Sequence, residues 1–316
     1  MPARAVVFAY HDVGVRCLRA LLEGGVEVPL VFTHRDDPRE RIWFASVAEL
    51  AASRGIETLF ADDPNTPEFV ERLRRLAPDF IFSFYYRRML SAELLAAARR
   101  GAYNMHGSLL PKYRGRVPVN WAVLNGERET GATLHEMAAK PDAGRIVDQQ
   151  AVPIGDDDLA VDVFRKVTDA AETVLKRSLP RLIDGSAVPR AQDLASGSYF
   201  GGRKPEDGRI DWTKSAPEVH NLVRAVAPPY PGAFTDLPGG RVLVLRTRRL
   251  GRDAGAAATA HGRSGPALIA AANAPHVTAV CGDGEALALL ELALDGHPLT
   301  VREFVARFGT GPIHIS

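Results

Sequence analysis

The sequence predicts an α/β protein: a Rossmann-like, mostly parallel sheet with helices on both faces, followed by a smaller, OB-like β-barrel domain. Three observations predict it. Short apolar runs alternate with helical patterns over roughly the first 190 residues, which is typical of a parallel sheet. Closely spaced β runs follow, and 316 residues, 46% of them hydrophobic, suffice for two cores. We therefore expect one domain over residues 1–203 and a second over residues 204–316.

Strands and helices alternate along the first domain in the order expected of a doubly wound sheet. Thr66 and Pro67 are typical of an N-cap and a first helical residue, so a helix is expected to begin there. An amphipathic pattern from Asp158 to Leu179 predicts a long helix that ends before Pro180. Ligands bind such sheets at the carboxyl ends of the strands. The other predicted elements are strands at Ala5–Ala9, Val28–Phe32, Glu57–Phe60 and Asp79–Phe84, and helices at Gly14–Leu22 and Ala45–Ser53.

The second domain is expected to open with a helix and to continue as strands. Ser215 and Glu218 have the spacing of a capping box, before a helix that holds His220 to Val226. The small residues from Ala254 to Ala260 predict a mobile loop. Apolar runs divided by glycine-rich turns predict strands of a small barrel or sandwich at Arg241–Leu245, Ala267–Ala270, His276–Val280 and Ala286–Leu292.

Composition and charge argue against several classes of partner. Basic and acidic residues number 39 and 38, and from Lys204 onward 12 and 11, so no nucleic-acid partner is expected. No apolar run reaches the roughly 18 residues of a membrane helix, and the N-terminus has no secretory pattern, so we expect a cytoplasmic protein without a membrane partner. Cys17 and Cys281 have no CxxC spacing, which predicts reduced thiols and no metal site.

The most informative segment for chemistry contains Asn104 and His106. Side chains alternate along a strand, so these two are expected to share one face while Tyr103 and Met105 share the other. An amide and an imidazole at the end of a strand can donate hydrogen bonds to an oxyanion, such as the one formed when an amine attacks a formyl carbon. The alternative is a half-buried structural histidine beside a turn-forming asparagine.

A carboxylate, Asp142, follows in a loop that also contains Gly144. Such a carboxylate could hold His106 protonated, or accept a proton that the amine loses through water. The alternative is that Asp142 is a turn residue. His135, on the intervening strand, is expected to be structural rather than catalytic.

Two weaker patterns do not support a function. The segment from Tyr10 to Gly14 follows the first strand but has one glycine where a dinucleotide fingerprint has three, so a nicotinamide cofactor is not expected. The basic cluster from Arg246 to Arg252 could contact an anion, but in a β region with balanced charge it is more typical of a solvated hairpin face.

Three motifs together resemble the folate-dependent formyltransferases: Asn104-x-His106, the run from Ser108 to Gly115, and Asp142-x-Gly144. The resemblance implies transfer of a formyl group from N10-formyltetrahydrofolate to an amine, with Asn104, His106 and Asp142 as the catalytic residues and no metal. It also implies that the loop after the preceding strand holds the folate, largely through backbone groups. The matching residues are Tyr86, Arg87, Arg88, Met89 and Leu90.

Four further runs extend the resemblance: Val7–Gly14, Ile81–Arg87, Pro111–Trp121 and Val223–Phe234. Within the family, they make the sequence most similar to the domain that formylates UDP-4-amino-4-deoxy-L-arabinose in bifunctional proteins of lipid A modification and polymyxin resistance. The likeness implies a UDP-amino sugar as the acceptor. Because the sequence ends at Ser316, directly after the β domain, a stand-alone enzyme without decarboxylase activity is expected. The diphosphate of the UDP-amino sugar is expected to contact basic side chains. The alternative interpretation is that these side chains are ordinary surface charge. The residues expected to bind the acceptor are Ser108, Lys112, Arg114, Arg116, Arg203 and Tyr230.

Two rival functions share this architecture. Methionyl-tRNA formyltransferase has both domains, but the nearly neutral C-terminal part of this chain argues against tRNA binding. A catalytically idle nucleotide-sugar-binding protein is the other rival, and the intact set of Asn104, His106 and Asp142 argues against it.

Overall fold

The computed structural model describes residues 2–38, 40–252, 265–310 and 312–315. The loop predicted at Ala254–Ala260 lies outside these residues. The chain forms two compact units, and each takes segments from more than one part of the sequence. The first contains Met1–Pro118, Glu129–Pro153 and Phe164–Gly201, and the second contains Val119–Arg128, Ile154–Val163 and Gly202–Ser316.

The first unit is built on a seven-stranded sheet with the order β3-β2-β1-β4-β5-β7-β8. Strands β1 to β5 are mutually parallel, whereas β7 pairs antiparallel with β5, and β8 pairs antiparallel with β7 at one edge. This confirms the predicted Rossmann-like, mostly parallel sheet. Strands β6 and β9 form a separate parallel pair. The strands are β1 Arg4–Ala9, β2 Glu27–Thr33, β3 Glu57–Phe60, β4 Phe80–Phe84, β5 Gly101–His106, β6 Arg114–Gly115, β7 Glu129–Glu136, β8 Ile146–Pro153 and β9 Tyr199–Phe200.

Helices cover this sheet, and several begin where their caps predict. The Thr66 hydroxyl accepts a hydrogen bond from the Phe69 amide at 3.4 Å, as expected for the N-cap before Pro67. The first helix begins at His11, earlier than predicted, with His11 itself in a left-handed conformation. The helices up to residue 184 are α1 His11–Glu23, α2 Val47–Ser53, α3 Pro67–Leu76, α4 Ala92–Leu95, α5 Pro118–Leu124 and α6 Ala160–Asp184.

The predicted end of helix α6 before Pro180 is wrong. The helix continues to Asp184 and stops at Gly185, which has a φ of 82°. Pro180 is exposed, so the carbonyl one turn earlier, which lacks a helix hydrogen bond because proline has no N–H, can bind solvent. Leu182, beyond Pro180, is buried. The Arg100 side chain also donates to the carbonyl oxygens of Leu182 and Ile183. Burial and this cation at the C-terminus stabilise the extra turn.

The second unit contains a curled antiparallel sheet with the order β10-β11-β14-β13-β12-β16, and β15 pairs with β14. Register shifts interrupt the β11–β14 ladder, and such bulges increase twist and bend a sheet. The smaller C-terminal β domain is thereby confirmed, as a half-barrel. The capping box is also present, because the Glu218 carboxylate accepts from the Ser215 amide at 3.1 Å. Its elements are α7 Ala216–Val226, β10 Ala233–Leu237, β11 Gly240–Gly251, β12 Ala267–Ile269, β13 Val277–Val280, β14 Ala286–Leu294, β15 His297–Pro298, α8 Val301–Phe308 and β16 Ile313–His314.

Helix α6 is the longest helix, yet it is not apolar enough to cross a membrane, and the same holds for every other helix among the described residues.

Candidate active site

Polar side chains gather where strand β5 ends, in the first unit. The burial pattern alternates from Ala102 to Met105, with Tyr103 and Met105 buried and Asn104 less so, and His106 at the end of the strand is buried as well. Strand β5 lies between the parallel strand β4 and the antiparallel strand β7. The carboxyl end of β5 therefore lies beside the carboxyl end of β4, where ligands bind in sheets of this type.

The His106 imidazole faces an acceptor from each ring nitrogen. Nε2 donates to the Tyr113 carbonyl oxygen at 2.8 Å, because a carbonyl can only accept. Nδ1 lies 3.6 Å from the Asp142 carboxylate, and the His106 side chain is 7% exposed. For Nε2–H to donate to a formyl oxygen, it must exchange the Tyr113 carbonyl for that oxygen.

The Asp142 carboxylate is the centre of the cluster. One oxygen lies near His106 and 3.5 Å from His135 Nε2, and the other accepts from the Gly115 amide at 2.8 Å. Burial alone would raise the pKa of this carboxyl, but the charge of His106, the contact with His135 and the Gly115 hydrogen bond hold the pKa well below its usual value. Asp142 is therefore ionised at neutral pH.

His135 belongs to the same cluster. Its Nδ1 donates to the Glu136 carbonyl at 2.8 Å, and its Nε2 lies 3.1 Å from the Asn104 amide nitrogen. This contact orients the Asn104 amide with its NH2 group towards His135. An amide nitrogen carries two hydrogens, so the second is left to donate to an oxyanion. His135, expected to be structural rather than catalytic, thus lies beside two of the predicted catalytic residues.

The glycines of the two motifs are required by close approaches of the backbone. A Cβ atom at Gly144 would lie 1.8 Å from the Glu136 carbonyl oxygen. A Cβ atom at Gly115 would lie 2.1 Å from the Phe200 carbonyl oxygen, and the φ of Gly115 is 99°. Gly144 therefore lets the Asp142 loop pack against strand β7, and Gly115 presents its N–H to Asp142.

The loop after β4, predicted to hold folate, is fixed from two sides. Tyr86 stacks on His34 with ring centroids 4.2 Å apart. Burial lowers the pKa of His34 to about 4, so the ring is neutral and its Nε2 accepts from the Arg87 amide at 3.0 Å. Asn65 donates to the Met89 carbonyl at 3.0 Å and accepts from the Ser91 amide at 2.7 Å. Met89 itself is exposed, at 59%.

The charged members of this loop differ in their surroundings. The Arg87 guanidinium makes a bidentate pair with Glu40 at 2.8 Å and lies over the Tyr10 ring. Arg88 is exposed, and Leu90 packs against the hydrophobic core under the sheet. The loop thus combines an apolar base with exposed residues at positions 87–89.

The comparisons with known proteins identify the family. The family model described as "Formyl transferase" matches residues 4–179, and the one described as "Formyl transferase, C-terminal domain" matches residues 203–309. The chain belongs to the formyl transferase family. It is therefore an enzyme of the formyltransferase class, with its candidate active site in the N-terminal part of the match.

Solved formyltransferases share the fold. An N-formyltransferase from Helicobacter canadensis, in complex with folinic acid and dTDP-3-aminofucose, is 21% identical over 92% of this chain and 99% of its own, with a TM-score of 0.69. WlaRD, a sugar 3N-formyl transferase solved with dTDP and 5-N-formyl-THF, is 18% identical over 91% and 97%, with the same TM-score. Glycinamide ribonucleotide transformylase 1 from Symbiobacterium toebii is 25% identical over 61% and 95%, with a TM-score of 0.52.

The basic segment after β5 of this formyltransferase divides into buried and exposed side chains. Ser108 is fully buried and donates to the Lys112 carbonyl at 2.6 Å, so in this structure it stabilises the loop. Arg114 is 7% exposed and donates to the carbonyls of Ser198 and Leu194, which tie it to the backbone. Lys112 and Arg116 are exposed. Of the predicted acceptor ligands in this segment, these last two present their side chains to solvent.

The two remaining predicted acceptor ligands belong to the second unit. The Arg203 guanidinium lies 4.9 Å from the centre of the Trp121 ring and donates to the Asp207 carbonyl at 2.9 Å. Burial lowers the pKa of Arg203. Burial also raises the pKa of Tyr230 to about 12, although a hydrogen bond with Asn120 opposes the shift, so the phenol stays neutral.

Proposed function

We propose that this enzyme transfers the formyl group of N10-formyltetrahydrofolate to the amino group of a nucleotide-linked sugar. The observation that carries the proposal is the convergence of Asn104, His106 and an ionised Asp142 at the carboxyl end of β5. The folate and dTDP-sugar named for the Helicobacter canadensis relative support both substrates.

The reaction that this cluster suits is attack of a neutral amine on the formyl carbon. The amine nitrogen forms a bond to that carbon, the carbonyl oxygen takes negative charge, and the Asn104 amide and the His106 imidazole donate to it. The bond from carbon to N10 then breaks, N10 gains a proton and the amine loses one. Asp142 lies 3.6 Å from His106 and stabilises the positive charge of the protonated ring.

The finer proposal concerns the acceptor, UDP-4-amino-4-deoxy-L-arabinose, a sugar of lipid A modification. Its support is the sequence likeness from Pro111 to Trp121 and from Val223 to Phe234. Exposed Lys112 and Arg116 supply positive charge for the diphosphate. Residues 86–90 are proposed to hold the folate.

The experiment compares acceptors at equal concentration. The protein is incubated with N10-formyltetrahydrofolate and, in parallel, with UDP-4-amino-4-deoxy-L-arabinose, a dTDP-3-amino sugar, or charged initiator methionyl-tRNA. Mass spectrometry should show the UDP sugar heavier by one CO unit, and tetrahydrofolate should form in equal amount. If only the dTDP sugar is formylated, the proposal of sugar formylation stands, but the proposal that UDP-4-amino-4-deoxy-L-arabinose is the acceptor fails. Formylation of the tRNA alone would refute the sugar proposal.

A catalytic variant separates turnover from binding. His106→Ala should abolish formyl transfer while the nucleotide sugar still binds with nearly the wild-type affinity, measured by calorimetry. His297→Ala, at an exposed histidine of β15, is the matched control and should keep full activity. Full activity of His106→Ala would refute its assignment.

A further inference from the structure

The loop that carries Asp142 is held by a side chain outside every motif discussed so far. Gln192 Nε2 donates to the Asp142 carbonyl at 3.0 Å and to the Gly144 carbonyl at 2.6 Å. Because both partners are carbonyls, the NH2 group of Gln192 must face them. One amide therefore bridges the two ends of the Asp142–Gly144 turn.

The conformation of this turn needs such a support. Asp142 has a φ of 52°, in the left-handed region that is unfavourable for residues other than glycine and only tolerated by aspartate. The turn also lies outside the regular strands, since β7 ends at Glu136 and β8 begins at Ile146. A backbone held in this way persists when the surrounding structure specifies it.

Gln192 itself has a fixed anchor. Arg190, two residues earlier, pairs with Ile146 at the start of β8 through two backbone hydrogen bonds of 2.7 and 2.8 Å. The Gln192 side chain thus connects an ordered strand to the Asp142 loop. Gln192 Oε1 is buried and has no hydrogen-bond partner in the described part of the chain, so the residue is not optimised for stability alone.

We propose that Gln192 is a positioning residue for formyl transfer: it fixes the backbone of Asp142 so that the carboxylate stays beside His106 and His135. The proposal rests on the proposed function of the same site. A misplacement of about 1 Å in a catalytic group can cost on the order of 10²-fold in rate. Gln192 touches no reacting atom, and acts through Asp142.

Gln192→Met tests this, because methionine has a similar length and no donor. The value of kcat should fall on the order of 10²-fold, while the KM values for folate and sugar stay within about twofold. The thermal midpoint should change little, since the variant loses two hydrogen bonds but also removes the unpartnered Oε1 atom. Gln150→Met is the matched control, because Gln150 donates to the carbonyl of its own neighbour, Ala151.

A double variant separates positioning from a general structural role. If Gln192 acts through Asp142, then Asp142→Asn/Gln192→Met is no slower than Asp142→Asn alone. Multiplied losses in the double variant would overturn the proposal. So would an equal loss of kcat in Gln150→Met.

A spectroscopic readout keeps the test independent of turnover. In protein labelled with 15N-histidine, the ring signals of His106 and His135 should shift in Gln192→Met and stay in place in Gln150→Met. Unchanged signals in Gln192→Met would overturn the positioning role. If the signals shift but the wild-type protein formylates none of the acceptors, the proposed function fails and the positioning role stands.

Discussion

Replacing Asp142 by asparagine should nearly abolish turnover while leaving the fold intact. The amide keeps the shape of the carboxylate, and its oxygen can still accept from the Gly115 amide, a bond of 2.8 Å in the structure. The charge is lost. Two unit charges 3.6 Å apart attract by about 4–5 kcal/mol at an effective dielectric constant of about 20. If the protonated His106 ring loses that interaction in the transition state, kcat falls on the order of 10³-fold.

The assay follows formylated sugar by mass spectrometry and tetrahydrofolate by absorbance, at saturating concentrations of both substrates. Asp148→Asn is the control, since this carboxylate on β8 forms an ion pair with Arg177 at 2.6 Å. The control should keep its rate within about twofold, as expected for a partly exposed ion pair. A loss below about tenfold in Asp142→Asn would refute the electrostatic argument, because it would correspond to less than about 1.4 kcal/mol.

Three further predictions concern the loops around the site. Gly144→Ala should lower the free energy of unfolding by about 2–3 kcal/mol. The control Gly55→Ala, at an open position with a φ of 66°, should lower it by about 1 kcal/mol. Equal shifts of the thermal midpoint in the two variants would contradict the close-approach argument. Asn65→Ala removes both bonds to the loop after β4 and should weaken binding of 5-formyltetrahydrofolate about tenfold, measured by fluorescence titration; an unchanged Kd would contradict it. Burial, with the charge of Arg87, lowers the pKa of His11 to about 3. The folded protein therefore binds a proton at His11 more weakly than the unfolded chain does. The free energy of unfolding consequently falls as the pH drops below about 6.5. Between pH 7 and pH 4, His11→Asn should lose about 3 kcal/mol less of its free energy of unfolding than the wild type does, whereas His297→Asn should lose as much as the wild type. Chemical denaturation at each pH measures this, and parallel pH profiles of the wild type and both variants would refute it.

The sequence predicted the parts of the site that depend on local structure. Alternation along one strand predicted that Asn104 is directed to the opposite face from Tyr103, and the burial pattern of β5 agrees. The caps at Thr66 and Ser215 were also readable, because a cap involves residues three positions apart.

The rest of the site depends on pairing between distant segments. His135 meets Asn104 only because β7 pairs antiparallel with β5 in a register that aligns these two residues. Nothing in the residues near His135 specifies that register, so its own segment predicts only a buried strand. Gln192 is still less predictable, since it contacts carbonyl oxygens, which every residue has. The continuation of α6 through Pro180 similarly depends on Arg100, 80 residues earlier in the chain.

All four side chains of the cluster, and Gln192 with them, lie in the first compact unit. The second unit contributes no atom to the hydrogen bonds among them. The cluster that we propose for the chemical step is thus formed by other residues than the C-terminal half-barrel. Evolution, or a protein engineer, can therefore change residues of the half-barrel without replacing any of these side chains.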